Sequence, residues 1–176
     1  EFGDISFLIH SIAFANREDL DGRFVDTDRE GFRLALEVSS YSLLPLVRHA
    51  APLMLSGGSV VAMTFDASKR VYPGYNVMGT AKAALEHSVR QLAYEFGGQG
   101  VRVNAISAGP LQTLAARGIS GFRDMHRNAA EKSPMKRNIT TDAVSQTGLF
   151  LCSDLSRGIT GTIIPVDSGS PILAVG

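Results

Sequence analysis

Cysteine is almost missing from this chain. Its single copy, Cys152, can form no internal disulfide and can build no cysteine-based metal site, which fits a reducing compartment and a small core residue. Charge of one sign is missing as well. Lys plus Arg and Asp plus Glu each number 17, so no global field favours nucleic acid or an anionic membrane surface. No apolar run approaches the roughly 20 residues of a membrane span. The opening "EFGDISFLIH" lacks the basic-then-apolar pattern of a secretory leader, and the expected location is cytoplasmic. There is no internal repeat, low-complexity tract or interdomain linker. No G-x-G-x-x-G occurs either: "GGQG" (97–100) closes a helical pattern and leads into a strand, the wrong context for a phosphate turn.

What is present is a mixed, apolar-rich chain of 176 residues, 44% hydrophobic and only 19% charged, with 18 glycines. That composition suits one compact domain with a sizeable core, and the low charge points to surface buried between copies of the chain. Apolar runs and helical patterns alternate. "DISFLIHSIAF" (4–14) is a near-continuous apolar run, as in a strand buried on both faces. Residues 27–54 read as a long helix opened by a capping box of Thr27 and Glu30, with apolar Phe32, Ala35, Leu36, Tyr41, Leu44, Val47 and Leu53; Pro45 within it predicts a kink. "SVVAMTF" (59–65) is a second strand. Residues 75–96 form a helix carrying Met78, Ala81, Leu85, Val89, Leu92 and Phe96, ended by left-handed glycine within 97–100. "VRVNAISAG" (101–109) is a third strand, 110–138 is irregular or in short helices, 140–155 is a helix behind a threonine cap, and "GTIIPVD" (161–167) is a last strand with an internal Pro165. This order predicts an α/β fold: a doubly wound parallel sheet with right-handed crossovers.

In such sheets ligands bind beyond the carboxyl ends of the strands. Small and polar residues gather there, in "HSIAFA", "TFDASKRVYPGY" and "AGPLQTLAA". At the exit of the second strand, "YNVMGTAK" places Tyr75 and Lys82 seven positions apart, roughly 20° apart around a helix axis and two turns apart along it, so both can reach one ligand.

"HSIAFA", "YNVMGTAKAALEHSVRQLAYEFG", "GVRVNAISAGPLQTLAARGI" and "FLCSDLSRGITG" together resemble the bacterial enoyl-acyl-carrier-protein reductases of type II fatty acid synthesis, within the short-chain dehydrogenase/reductase superfamily. The likeness runs from residue 4 to about residue 169. A lysine seven residues after the tyrosine resembles the enoyl reductases; the ketone-reducing members place it four after, where this chain has Gly79. The resemblance implies a cytoplasmic, homotetrameric Rossmann-type enzyme that reduces the trans-2 double bond of an acyl thioester, carried on acyl carrier protein, with NADH or NADPH. It also implies that Tyr75 hydrogen-bonds the thioester carbonyl and that Lys82 holds the nicotinamide ribose. By the same likeness Ser11 and Ile12 line the cofactor, and Leu111, Gln112, Thr113, Leu114 and Ala115 approach its carboxamide and pyrophosphate. Ala15 and Met78 match positions at the acyl pocket. His10 and His87 read as structural.

Several positions depart from the family pattern. Phe65 stands where many members have a second active-site tyrosine, and resembles the mycobacterial long-chain branch. Leu111 and Gln112 replace an isoleucine–arginine pair, and "VDSGSPI" lacks the usual second glycine. Of the basic residues that meet acyl carrier protein, only Arg123 matches, with Arg117 and Arg127 nearby. Family members begin with three further strands and a glycine-rich turn, so residues 1–176 are expected to be the carboxyl-terminal two-thirds of a single Rossmann-type domain. Two alternatives stand beside the reductase: a truncated, non-catalytic homologue acting as a binding or assembly module, and a ketone-reducing member of the superfamily.

Overall fold

A computed structural model describes residues 3–113, 116 and 121–172. Four strands, β1 (Phe7–His10), β2 (Gly58–Thr64), β3 (Val101–Ala108) and β4 (Ile163–Val166), form one sheet in the order β1-β2-β3-β4, parallel at every pairing. The helices are α1 (Arg17–Leu20), α2 (Arg29–Leu36), α3 (Leu43–Ala50), α4 (Asn76–Gly97), α5 (Phe122–Lys132) and α6 (Thr141–Cys152). None of the described helices is long and apolar enough to cross a membrane.

The pleat of β2 and β3 divides the core. Val60, Ala62, Val101, Val103 and Ala105 point to the face covered by α3 and α4, against Leu43, Val47, Leu85 and Val89. Val61 and Ile106 point the other way, against Leu151 of α6. Each of the larger fully buried side chains contributes roughly 1.5–3 kcal/mol, so the middle strands are the best-anchored part of the sheet. Strand order advances steadily, yet the first two crossovers pass over one face and the third, through α6, over the opposite one. The third therefore has the opposite hand to the first two. The expectation of uniformly right-handed crossovers fails here, because the long connection through α5 carries the chain across to the other face before α6 begins.

The predicted strand over 4–14 contracts to Phe7–His10, the stretch that finds a partner in β2. Its Leu8 packs into the core on the α3–α4 side, while Phe7 and Ile9 on the opposite side are 51% and 50% exposed. Pro165 is accommodated because β4 is an edge of the described sheet, pairing with β3 alone.

The helix predicted over 27–54 is a continuous helical path with a change of pitch. Its cap is Asp28, not Thr27: the Asp28 carboxylate accepts from the amides of Glu30 and Gly31, whereas the Thr27 hydroxyl donates back to the Phe24 carbonyl at 2.8 Å. After α2 comes a π-helical turn, Glu37–Tyr41, closed by the Ser42 amide on the Glu37 carbonyl at 3.0 Å. Pro45 falls in the first turn of α3, where amide donors lack an intrahelical acceptor, so the predicted kink is replaced by this π turn. At the far end of α4, the left-handed glycine is Gly100, at φ +75°.

Candidate active site

The π turn earns a place in the site through its serines. Ser39, fully buried, receives the Phe14 amide at 2.9 Å and donates to the Phe14 carbonyl at 3.0 Å, fixing residues 11–16 as they leave β1. One turn on, Ser42 Oγ donates to the Val38 carbonyl and lies 2.8 Å from His10 Nε2. His10 is completely buried at the carboxyl end of β1, with Nδ1 unpartnered; burial, and then the charge of Lys82, pull its pKa below the usual imidazole value. It is thus a structural histidine placed beside the site. Beyond it, Ser11 and Ile12 are exposed and Ala15 is half-buried.

At the exit of β2 stands an aromatic cluster. Phe65 packs on Tyr72 and Tyr75, with ring centroids 4.9 and 5.2 Å away. Tyr75 sits at the cap position of α4, and burial raises the pKa of its phenol, so it is a neutral donor at physiological pH. The Tyr72 hydroxyl donates to Asp66 at 3.1 Å, and burial together with that carboxylate pushes its pKa up to about 12. Met78, half-buried, follows Tyr75 by one turn, its amide bonded to the Tyr75 carbonyl at 2.8 Å.

Lys82 lies two turns into α4 and is 8% exposed. Its Nζ donates to the Met63 carbonyl at 2.8 Å, and burial draws its pKa down to about 8 against the opposing pull of Glu86. An ammonium has three donors; one bond to Met63 leaves two for a diol such as a nicotinamide ribose. The residues present therefore fit the cofactor that the resemblance implies.

Past the carboxyl ends of β2, β3 and β4 opens a cavity of about 560 Å³ bounded by Phe65, Asp66, Tyr72, Ser107, Pro110 and Met125. Tyr75 borders a neighbouring hollow of about 440 Å³ that shares Arg70, Val71 and Tyr72 with the first, and Lys82 lines neither. Leu111 is half-buried at the β3 exit, Gln112 and Thr113 are exposed, and Thr113 Oγ1 accepts from the Ala116 amide at 3.2 Å. Leu114, Ala115 and Arg117 lie outside the described residues. Arg127 pairs with Asp124 on α5 at 2.7 Å, and His87 contacts Gln91 on the surface. Sequence reasoning missed the Tyr72–Asp66 bond and Glu86; Glu86, four residues after Lys82, carried a readable helical spacing.

Gly79 explains the Tyr–Lys spacing physically. A Cβ there would meet the Ala67 carbonyl oxygen at 2.8 Å, because α4 runs against the short 3-10 turn Asp66–Ser68. No side chain, lysine included, fits four positions after Tyr75 without moving backbone. Gly79→Ala is expected to cost about 1–3 kcal/mol, seen as a drop of several degrees in Tm with the secondary structure retained.

Comparison with known proteins identifies the family and fold. A family model described as enoyl-(acyl carrier protein) reductase matches residues 1–170. The NADH enoyl-[acyl-carrier-protein] reductase FabI of Bacillus cereus is 50% identical over 173 residues, covering 98% of this chain and 68% of the relative. An NADPH enoyl-[acyl-carrier-protein] reductase FabI of Staphylococcus aureus is 50% identical over 169 residues, covering 96% and 66%. The crystal structure of the Bacillus cereus enoyl-acyl carrier protein reductase with NADP+ and indole naphthyridinone superposes with a TM-score of 0.97 at 49% identity, over 98% of this chain and 67% of that one.

Proposed function

The chain belongs to the enoyl-(acyl carrier protein) reductase family, and from that premise we propose that it reduces the trans-2 double bond of enoyl thioesters carried on acyl carrier protein, in fatty acid synthesis, with NADH or NADPH. The observation that carries the reading is the α4 pair: a neutral phenol at the exit of β2 and a buried ammonium two turns behind it.

A reduced nicotinamide bound here would supply hydride to C3 of the substrate, and a proton drawn ultimately from solvent would complete the reduction at C2. Tyr75 donates a hydrogen bond to the thioester oxygen, which gains negative charge as the C2–C3 π electrons shift towards the carbonyl. Because that charge exists only in the transition state and beyond, the bond lowers the barrier more than it tightens substrate binding. Lys82 would hold the ribose hydroxyls with its two remaining donors, and its positive charge would favour negative charge on the same oxygen. Met78 and Ala15 bound the acyl path, and Phe65 backs Tyr75 with a ring and offers no second hydroxyl. Ser11, Ile12, Leu111, Gln112 and Thr113 form the cofactor side. The assembly is a homotetramer in the cytoplasm, and residues 1–176 form part of one Rossmann-type domain. The packing of Gly79 on Ala67 counts against the ketone-reducing alternative, which would need lysine at that position.

The test is oxidation of reduced nicotinamide by the purified protein with a trans-2-enoyl thioester, beside a 3-ketoacyl thioester. Turnover of the first alone is expected; turnover of only the ketone, or of neither, would overturn the proposal.

A further inference from the structure

One turn beyond Lys82, on the same side of α4, lies a carboxylate that the chemistry above leaves unused. Glu86 is 3% exposed, and its Oε1 accepts from Thr64 Oγ1 at 2.8 Å. Lys82 donates to the carbonyl of Met63, the residue just before Thr64. Two consecutive residues of β2 thus hold two opposite charges of one helix. A buried ammonium served by one carbonyl is poorly compensated alone. The charge of Glu86, one turn along the same helix, offsets part of the cost of burying the Lys82 ammonium.

The other charged groups on elements around α4 do not fill this role. His10 lies at the end of β1, where burial and then the charge of Lys82 disfavour its protonation. Asp19 on α1 accepts from Asn16 at 3.0 Å, Asp66 is taken by Tyr72 and Arg70, and Glu30 and Glu37 are paired with Arg33 on the exposed side of α2. Glu86 is the carboxylate whose charge acts on Lys82.

We propose that Glu86 is a positioning residue for the reductase reaction: its charge, fixed in place by Thr64, keeps Lys82 an ammonium at the pH of catalysis. The inference rests on Lys82 being the ribose anchor. Burial already holds the Lys82 pKa at about 8 with Glu86 in place. Removing the negative charge lowers it further, so that the neutral amine, one donor short, becomes populated near neutrality.

The experiment uses Glu86→Gln, which keeps an acceptor for Thr64 and removes the charge. Two quantities are followed: the pH profile of kcat/KM, and the titration of the Lys82 side chain by nitrogen-detected NMR in the absence of substrate. Both midpoints are expected to fall by about one pH unit, giving up to a tenfold loss of kcat/KM on the alkaline side and little loss in mild acid. Glu86→Asp should restore part of the shift. Thr64→Val, which retains the carboxylate but releases it, should move both midpoints the same way by less, and serves if Glu86→Gln does not fold. An unmoved Lys82 titration would overturn the proposal at Glu86 itself. A titration that moves beneath an unmoved kinetic profile would overturn it through the assignment of Lys82.

Discussion

Tyr75→Phe is expected to lower kcat by about 10²-fold while dinucleotide affinity stays as it was. The substitution is clean because the ring is held by packing: Phe65 lies 5.2 Å from it by centroid and Tyr72 6.3 Å, contacts that phenylalanine keeps. The hydroxyl alone is removed. Since burial raises the Tyr75 pKa, the wild-type group is an un-ionised donor through the neutral range, and its loss subtracts one hydrogen bond to an oxygen that becomes charged as hydride is delivered. An interaction of that kind appears in kcat and kcat/KM together. Steady-state kinetics with an enoyl thioester, with near-ultraviolet circular dichroism to confirm packing, is the check. An unchanged kcat with a raised KM would instead make Tyr75 a ground-state binding residue. The pH profile gives a second discriminant, because a phenol with a raised pKa cannot cause a fall in activity near pH 8, whereas Lys82, at about 8, can.

The parts of the fold that the amino-acid pattern revealed are those where one periodicity decides the outcome. β2, α4 and β3 match their predicted spans to within a residue or so because their apolar positions form the core itself. β1 was overextended because an apolar run marks where a strand can form, while pairing decides where it does; only Phe7–His10 meets β2. The face chosen by α6 leaves no local trace, since it depends on the whole route between β3 and β4. The π turn is equally hidden, being fixed by where Ser39 and Ser42 must point to reach Phe14 and His10. Thr27 and Asp28 are adjacent capping residues, and the entry direction of the chain from Phe24 selects the second. Within the candidate site, the two-turn separation of Tyr75 and Lys82 along α4 follows from helical spacing. The contact of Tyr72 with Asp66 does not, because a hydrogen bond closed by a loop obeys no period.

The same burial that fits Lys82 to a ligand makes it costly to the fold, and this sets up an opposed pair of effects. Lys82→Met is expected to weaken dinucleotide binding by about 10²-fold, through loss of charge-assisted bonds to the ribose, and to raise the unfolding free energy at neutral pH by about 1–3 kcal/mol. The sign follows from linkage. The folded-state pKa, about 8, lies below the ordinary lysine value of 10.5, so between those limits the unfolded chain binds more protons than the folded one, and stability rises with pH. Below pH 8 both states are protonated, and the folded state carries the full penalty of a buried ammonium, reduced but not cancelled by Glu86. Methionine carries none of that penalty and has a similar length with which to fill the space beside Met63. Wild-type stability should therefore climb from pH 8 to about 10.5, whereas the variant, more stable at neutrality, should lack this rise. Denaturant melts across that range, paired with dinucleotide titration, measure both halves. If Lys82→Met lost affinity and stability together, Lys82 would be a net structural contributor, its attraction to Glu86 outweighing its burial. If it gained stability and kept affinity, the cofactor would be held elsewhere.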